Sequence, residues 1–270
     1  MPSILRREFA PISDEAWTEL DAQAAGILRR MLTARKIVDF SGPHGWQFAA
    51  ANAGRLNLAK RKSGGVGWGV REVQPVVEMR LPISLQQMEL DNLTRGAGDA
   101  DVDALEQAAG EAARFEDDAV FNGFNQGNIS GIRKASTHKA MTLPAKAEDY
   151  PKTVADAVKT LTLAGIEGPY ALVLSPDAYF TLTGSAGRGY PPRKAVQDVL
   201  GGDVLMTPVL TGGVVVSTRG GDYELAVGKD FSLGYAGHDS DAVELFLTES
   251  FTFRVLEPAA AVVLNKRSSR

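Results

Sequence analysis

The stretch TRGGDYELAVGKDFSLGYAGHDSDAVELFLTESFTFRVLEP, residues 218–258, contains the strongest fold signal in the chain. Short runs of apolar, β-branched and aromatic residues alternate here with turns that contain Gly, Asp or Ser. Such runs are typical of strands in a sheet. Residues 243–255 are especially rich in apolar residues, so we predict a strand or a strand pair at the centre of a sheet. Most of residues 203–264 predict further short strands.

Upstream, residues 37–85 alternate apolar and polar positions with a period of two. A turn signal, Ser63-Gly64-Gly65, divides this region, which therefore predicts a long two-stranded arm. An isolated hairpin buries little surface and leaves its strand edges unpaired. The arm is therefore expected either to lie on a neighbouring subunit or to fold back on its own domain.

A capped amphipathic helix is predicted near the start of the chain. Ser13 is a favourable N-cap, and Asp14 and Glu15 suit the positive end of a helix dipole. Apolar residues then recur at helical spacing and basic residues crowd the end, which predicts a helix over residues 13–34. Its apolar stripe either packs into the core or forms part of a docking groove.

A second long helix is predicted over residues 101–124. It contains Glu116-Asp117-Asp118, a candidate cation site. Consecutive helix positions point in different directions, so these carboxylates cannot converge on one ion without help from elsewhere. We therefore expect a solvated face or ion pairs with another subunit.

The middle of the chain predicts a compact α/β unit. A helix is expected from residue 150 to 165, a buried strand over 170–174 and a helix over 192–200. Ser175 is expected to begin a short helix between the last two. The complete pattern therefore predicts an α+β fold.

Composition narrows the classes of function. The net charge of -4 disfavours nucleic acid or an anionic membrane as the main partner. The absence of Cys excludes disulfides, Cys-bound zinc and thiol catalysis. No apolar run reaches the roughly 20 residues of a membrane helix, and no secretory signal peptide is recognisable, so we expect a cytoplasmic protein.

No arrangement of residues in the sequence indicates catalysis or a resident metal. The histidines, His44, His138 and His238, are isolated from one another. Residues 184–187, GSAG, do not have the G-x-S-x-G spacing, and the glycines of residues 65–69 do not lead into a predicted helix as a phosphate-binding loop does. We therefore expect no catalytic residues, no metal and no cofactor.

Several strings in a fixed order resemble the encapsulin family, the linocin-type shell proteins of bacterial nanocompartments. Besides residues 218–258, they are LRREFAPISDEAW (5–17), RKIVDFSGPHGW (35–46), MELDNLTRG (88–96), FEDDAVFNG (115–123), GIEGPYALVLSPDAY (165–179) and GYPPRK (189–194). The resemblance covers almost the whole chain. It implies the tailed-bacteriophage major-capsid-type fold and self-assembly into a hollow icosahedral shell, for which the short chain favours about 60 copies.

The capsid-type fold implies three regions. A P-domain would comprise residues 1–45, 81–134 and 219–270, with the second long helix as its spine. An E-loop arm would comprise residues 46–80, and it would pair with neighbouring subunits. An A-domain would comprise residues 135–218.

The resemblance also implies a cargo enzyme, held inside the shell by its C-terminal targeting peptide. The cargo would be a dye-decolorising peroxidase or a ferritin-like protein, which links the shell to oxidative stress or iron storage. The peptide would lie between the N-terminal helix and strands near the C-terminus, with Asp39 binding one of its basic residues. Carried over by position, the cargo-peptide residues are Leu28, Met31, Leu32, Ile37, Asp39, Leu233 and Tyr235.

Two smaller expectations follow from the same resemblance. Arg188 would form a positive ring around a five-fold pore, or would instead pair with a neighbouring subunit. Some family members bind a flavin on an aromatic residue before the ELDN motif, but this chain has Met88 there, so we expect no flavin. The pore-loop residues would be Gly184, Ser185, Ala186, Gly187, Arg188 and Gly189.

Two other functions remain as alternatives. A viral or prophage major capsid protein would have the same fold, although a negatively charged chain is poorly suited to enclosing DNA. A protease or bacteriocin-type enzyme, suggested by older names of the family, would need a nucleophile and a base that the sequence does not bring together.

Overall fold

A computed structural model describes residues 3–59, 66–185 and 189–266. Its α-helices are α1 (Asp14–Met31), α2 (Gln87–Thr94), α3 (Asp103–Phe121), α4 (Ile132–Ala135), α5 (Tyr150–Leu163), α6 (Pro176–Thr183) and α7 (Pro192–Leu200). Its strands are β1 (Asp39–Ser41), β2 (Ala50–Leu58), β3 (Gly69–Pro75), β4 (Val77–Gln86), β5 (Met141–Leu143), β6 (Tyr170–Leu174), β7 (Val204–Met206), β8 (Gly213–Ser217), β9 (Tyr223–Val227), β10 (Ser232–His238), β11 (Ala242–Val255) and β12 (Ala261–Lys266).

The first sheet is organised around β11, which pairs antiparallel with β10, β4 and β9. The register places Leu247 opposite Leu233 of β10 on one side and opposite Leu81 of β4 on the other. Strand β1 extends the sheet by pairing parallel with β9. Residues 245–253 of β11 are buried without interruption. The prediction of a central strand over residues 243–255 is therefore confirmed.

The second sheet has the strand order β5-β12-β8-β6-β7. Strands β6 and β8 are buried along their whole length, and α5, α6 and α7 pack against this sheet. Residues 219–270, expected to lie together with the spine helix, are divided between the sheets: β9, β10 and β11 belong to the first and β12 to the second. The reason is the apolar run of residues 261–264, which is buried between β8 and β5.

Helix α1 begins as predicted, because the Ser13 hydroxyl accepts a hydrogen bond from the Ala16 N–H at 3.2 Å. It ends at Met31, three residues before the predicted boundary. The next free backbone N–H groups, those of Thr33 and Ala34, donate to the carboxylate of Asp117 on α3. A side chain distant in sequence therefore ends this helix. Helix α3, the predicted spine, packs along α1.

Helix α2 was not expected from the sequence. It is two turns long and buries only Leu90 and Leu93. Two buried positions are too few to reveal a helical period in the sequence. Helix α3 ends before Gly123, which has a φ of +92°. A Cβ at Gly123 would approach the Ile129 oxygen and the Gly131 nitrogen to 2.8 Å, so the close chain crossing there requires glycine.

Strands β2 and β3 form a two-stranded sheet of their own, as the arm prediction requires. Beyond the base of this arm, apolar side chains are exposed: Leu58 is 71% exposed and Trp68 is 63% exposed. Of the described residues between 52 and 75, none belongs to either hydrophobic core. This arrangement argues against a hairpin folded back on its own domain. The predicted turn, Ser63-Gly64-Gly65, lies outside the described residues.

The core of the second sheet can be tested at Leu172, which is fully buried in β6. We expect Leu172→Ala to lower the free energy of unfolding by about 2–5 kcal/mol, because it removes packed methyl groups and leaves a cavity. Leu163, at the end of α5, is 78% exposed and provides the matched control. Leu163→Ala should change stability by less than about 0.5 kcal/mol in thermal unfolding. Equal losses in the two variants would contradict this core.

Candidate functional site

A groove of about 710 Å³ lies between α1 and the segment that leads from β9 into β10. Its apolar floor is lined by Leu28 of α1, Leu32 directly after that helix, Leu233 of β10 and Leu247 of β11. All four side chains are buried and belong to the core beneath the first sheet. The shape of this floor is therefore set by the packing of the core itself.

The N-terminal segment forms one border of the groove. The Leu5 carbonyl accepts a hydrogen bond from the Tyr235 N–H at 2.8 Å, which attaches this segment to β10. The Arg7 guanidinium lies 4.0 Å from the Trp17 ring centre and donates to both carboxylate oxygens of Asp21, at 2.7 and 2.8 Å. These contacts hold the segment against α1.

Arg35 borders the groove at another point and binds carboxylates from three other elements. Its Nη2 donates to Glu116 of α3 at 2.6 Å, to Glu249 of β11 at 2.5 Å and to Asp230 before β10 at 3.0 Å. The side chains of Glu116 and Glu249 have no exposed surface. The guanidinium also lies 5.0 Å from the ring centre of Phe231, which lines the groove. We call Arg35, Glu116, Asp230 and Glu249 the arginine cluster.

Two buried carboxyl groups beside one guanidinium shift the ionisation of the arginine cluster. Burial raises the pKa of Glu249 well above its usual range, the charge on Glu116 adds to this rise, and Arg35 opposes it. Burial alone would lower the pKa of Arg35, but the surrounding carboxylates outweigh this effect and hold it above its ordinary value. Among the described residues, Glu249 Oε2 has no hydrogen-bond partner. Burial and the charge on Glu116 therefore disfavour the ionised form of Glu249, whereas Arg35 favours it.

Asp117, next to Glu116 on α3, is buried as well. Its carboxylate accepts hydrogen bonds from the N–H groups of Thr33 and Ala34 and from the Thr207 hydroxyl. Burial raises the pKa of Asp117 to about 7 despite these three donors. The prediction of a solvated or inter-subunit acidic face is therefore wrong for Glu116 and Asp117. Glu116 faces Arg35, whereas Asp117 faces the segment after α1 and Thr207, which follows β7 of the second sheet.

Of the residues expected to bind a cargo peptide, Leu28, Leu32 and Leu233 line the groove. Met31 and Ile37 do not. Met31 packs towards α3, where its sulfur would lie 3.5 Å from a Cβ placed on Gly110. Ile37 is buried in the larger core, which extends under both sheets. Spacing along α1 alone could not separate the residues facing the groove from those facing α3.

Asp39 and Tyr235 also lie outside the groove. The Asp39 carboxylate accepts the Gly221 N–H at 2.6 Å, which attaches β1 to the turn before β9. The Tyr235 hydroxyl is hydrogen-bonded to His238 Nδ1. Tyr235 lines a separate cavity of about 220 Å³ with two arginines, Arg6 and Arg80.

The expected pore loop is described only at its ends. The Gly184 N–H donates to the Phe180 carbonyl and closes α6, while Ser185 follows it. Gly189, near the start of α7, has a φ of +115°. The remaining loop residues, Ala186, Gly187 and Arg188, lie outside the described residues, and so does the expected ring of arginines.

Three further observations concern the position expected to lack a flavin, metal-binding side chains and membrane-spanning helices. Met88, the residue before the ELDN motif, is 63% exposed on α2. Within residues 3–59, 66–185 and 189–266, no three His, Cys, Asp or Glu side chains are arranged to hold a metal ion. In the same ranges, no helix has the length and apolar character needed to span a bilayer.

The sequence did not reveal the arginine cluster, although one signal was present. Glu249 interrupts the apolar run of β11, and a carboxyl group in a buried strand requires a partner. The identity of that partner depends on the tertiary fold, since Arg35 is 214 residues away in the chain.

Glu249→Gln tests the ionisation of the arginine cluster. The folded-state pKa of Glu249 lies above the ordinary value of 4.5. Its contribution to stability is therefore complete below about pH 4.5 and is lost as the pH rises through the folded-state pKa. We expect the melting temperature of Glu249→Gln to fall less than that of the parent when the pH is raised from acidic to neutral. Identical profiles for the two proteins would contradict the raised pKa.

Arg35→Met removes the cation of the arginine cluster instead of a carboxyl group. It leaves Glu116 and Glu249 buried without a cation. We expect the free energy of unfolding to fall by about 3–5 kcal/mol at neutral pH. The loss should shrink in acid, where protonation removes the uncompensated charges. A variant as stable as the parent at neutral pH would contradict the role of Arg35.

Comparison with known proteins identifies the family. The family model described as "Encapsulating protein for peroxidase" matches residues 2–252. A type 1 encapsulin shell protein from Rhodospirillum rubrum is 43% identical over 268 residues, covering 96% of this chain and 95% of the relative. A type 1 encapsulin shell protein from Mycobacterium tuberculosis is 38% identical over 261 residues, covering 97% of this chain and 98% of the relative.

Solved structures show the same capsid-type fold. The virus-like particle from Pyrococcus furiosus matches with a TM-score of 0.66 at 17% identity, over 93% of this chain and all of that one. The capsid of Myoviridae phage XM1 matches with a TM-score of 0.57 at 12% identity, over 87% of this chain and 92% of that one. The phage likeness extends to the fold alone, whereas the sequence relatives are named as shell proteins and not as enzymes. The chain therefore belongs to the encapsulin family, as a structural subunit of a capsid-like cage.

Proposed function

We propose that this cage encloses a cargo enzyme whose C-terminal peptide lies in the groove beside α1. The observation that carries the proposal is the apolar floor of the groove, bordered by charged residues of the N-terminal segment, α1, the turn after α1 and the segment before β10. Its volume falls within the ~300–1,000 Å³ typical of binding sites. Each large apolar side chain that becomes fully buried there would contribute roughly 1.5–3 kcal/mol, less the cost of ordering the peptide.

The description of the matching family model favours a peroxidase as this cargo. A dye-decolorising peroxidase contains haem, whereas a ferritin-like protein, the second candidate, does not need it. Shells purified from the source cell should therefore show haem absorbance if the peroxidase is enclosed. Mass spectrometry of the same particles would identify a ferritin-like cargo instead.

For assembly, we propose that each arm covers a neighbouring subunit in a closed shell of about 60 copies in the cytoplasm. The exposed apolar side chains of the arm and its unpaired strand edges support this role. The arm would be the E-loop, residues 46–80, inserted between residues 1–45 and 81–134 of the proposed P-domain, and residues 135–218 would form the A-domain. The pore would be formed by residues 184–189, with Arg188 as its charged member.

Deleting residues 56–70 tests the arm. We expect folded subunits or small oligomers in place of shells, because the deletion removes contacts to neighbours without touching either hydrophobic core. Negative-stain imaging and light scattering would measure particle size. The double variant Leu58→Ser, Trp68→Ser keeps the arm but removes two exposed apolar side chains, and it should weaken assembly in the same direction. Shells of normal size from the deletion would exclude this role.

Cargo capture can be tested by filling the groove. Leu28→Asp and Leu233→Asp are unsuitable alone, because both leucines are buried and a charge there would destabilise the fold. Ala25 lines the groove on α1 and is only partly buried, so Ala25→Phe should obstruct it without removing core packing. We expect shells of normal size that contain several-fold less cargo.

Ala22→Phe is the matched control, since Ala22 is exposed on the same helix and does not line the groove. This variant should load cargo like the parent. Cargo content would be measured by gel densitometry of purified shells. Unchanged loading in Ala25→Phe would place the peptide site elsewhere.

A further inference from the structure

A second cavity, of about 240 Å³, lies beside the second sheet and shares no lining residue with the groove. A water molecule occupies about 30 Å³ in the liquid, so this cavity has room for roughly eight waters or for one small molecule. Its polar lining comes from the start of α5, the start of α6 and the end of β12, and includes Tyr150, Ser175, Asp177 and Lys266.

Two buried hydroxyl groups at this cavity have no hydrogen-bond partner among the described residues. Tyr150 is 2% exposed and Ser175 is 6% exposed. The Ser175 side chain precedes α6 but does not cap it, and burial is the one cause that raises the pKa of Tyr150. Neither oxygen is sealed from solvent, so the surface that the two hydroxyls keep opens into the cavity that both residues line. Buried polar groups need partners, and these two therefore indicate a ligand.

The same cavity lies at the N-terminus of α6. The first N–H groups of a helix have no partner within it and carry partial positive charge. The first bond of α6 runs from the Tyr179 N–H to the Ser175 carbonyl, at 2.9 Å. The N–H groups of Asp177 and Ala178 precede that bond, and they have no acceptor elsewhere in the described part of the chain. Both residues line the cavity, so this helix end suits an anion there.

Asp177 and Lys266 are the charged residues that line the cavity within the described ranges. Lys266 Nζ lies 3.0 Å from Asp177 Oδ2, and the two side chains are 64% and 80% exposed. The Asp177 carboxylate is therefore already engaged, and so is the Gly212 carbonyl, which accepts the Ser175 N–H at 2.8 Å. The groups left without partners are donors, or hydroxyls that can donate. A ligand must therefore bring acceptors.

We propose that this cavity binds a small oxyanion, a phosphate or a carboxylate. Its oxygens would accept from the N–H groups of Asp177 and Ala178 and from the hydroxyls of Tyr150 and Ser175. Lys266 adds positive charge on the exposed side, which Asp177 reduces. The site does not depend on where a cargo peptide binds. Because an anion bound only by the folded subunit stabilises it, its concentration would regulate the stability of the shell.

The experiment uses purified, assembled shells dialysed to equilibrium against radiolabelled inorganic phosphate at constant ionic strength. Unlabelled phosphate, acetate and methylammonium then compete with the label. We expect saturable binding that phosphate and acetate displace and methylammonium does not. Displacement by less acetate than phosphate would identify a carboxylate as the preferred ligand, and the reverse order would identify phosphate.

Tyr150→Phe removes one hydroxyl and keeps the buried ring. We expect the affinity for phosphate to fall about tenfold, because a hydrogen bond to a charged group is lost. Tyr179→Phe is the matched control, since it removes a hydroxyl from α6 that does not line the cavity. This control should bind phosphate like the parent. Ser175→Ala removes the second hydroxyl and replaces Tyr150→Phe if that variant does not form shells in negative-stain images.

Two exposed side chains test the sign of the ligand charge. Asp177→Asn removes a negative charge and releases Lys266, so the affinity for phosphate should rise by roughly a factor of two to five. Lys266→Gln should lower it by a similar factor. A merely structural ion pair would not shift the affinity in opposite directions.

Three results would overturn this site. The first is the absence of phosphate and acetate binding. The second is phosphate binding that neither Tyr150→Phe nor Ser175→Ala weakens, which would place the anion elsewhere on the shell. The third is displacement by methylammonium together with weaker phosphate binding in Asp177→Asn, which would indicate a cavity built for a cation.

Discussion

One guanidinium between buried carboxyl groups is the constraint on which the rest of this subunit depends. Arg35 follows α1, Glu116 lies on α3 and Glu249 lies in β11. A carboxylate away from water is costly unless it is paired and hydrogen-bonded, so these three elements must meet at one point. Their meeting holds α1 against the first sheet. The groove lies along that junction, and its floor is therefore a consequence of how the core closes.

The arm formed by β2 and β3, in contrast, carries apolar side chains that its own subunit leaves exposed. A two-stranded ribbon with exposed apolar side chains buries too little surface to be stable by itself. Its strand edges and side chains therefore suit contacts that only another copy of the chain can provide. In the proposed shell, such contacts would repeat around the symmetry axes and cover these edges. The subunit is thus stable in its core and incomplete at its surface.

The groove combines two kinds of residue with different consequences. Its floor consists of core leucines, such as Leu28 and Leu233, which cannot change without cost to folding. Its border includes exposed cations, such as Arg29 and Lys36, which can change without such cost, and also Arg35, which pairs with buried carboxyl groups and cannot.

The sequence by itself determined the elements with a local signal: the cap at Ser13, the buried strand over residues 170–174, the helix over 192–200 and the central strand β11. Each depends on residues that are close together in the chain. Only the tertiary structure decided that β12 joins the second sheet, that Glu249 meets Arg35, and which of the predicted groove residues face the groove. These outcomes depend on contacts between distant segments, and a helical or alternating pattern is compatible with several such contacts.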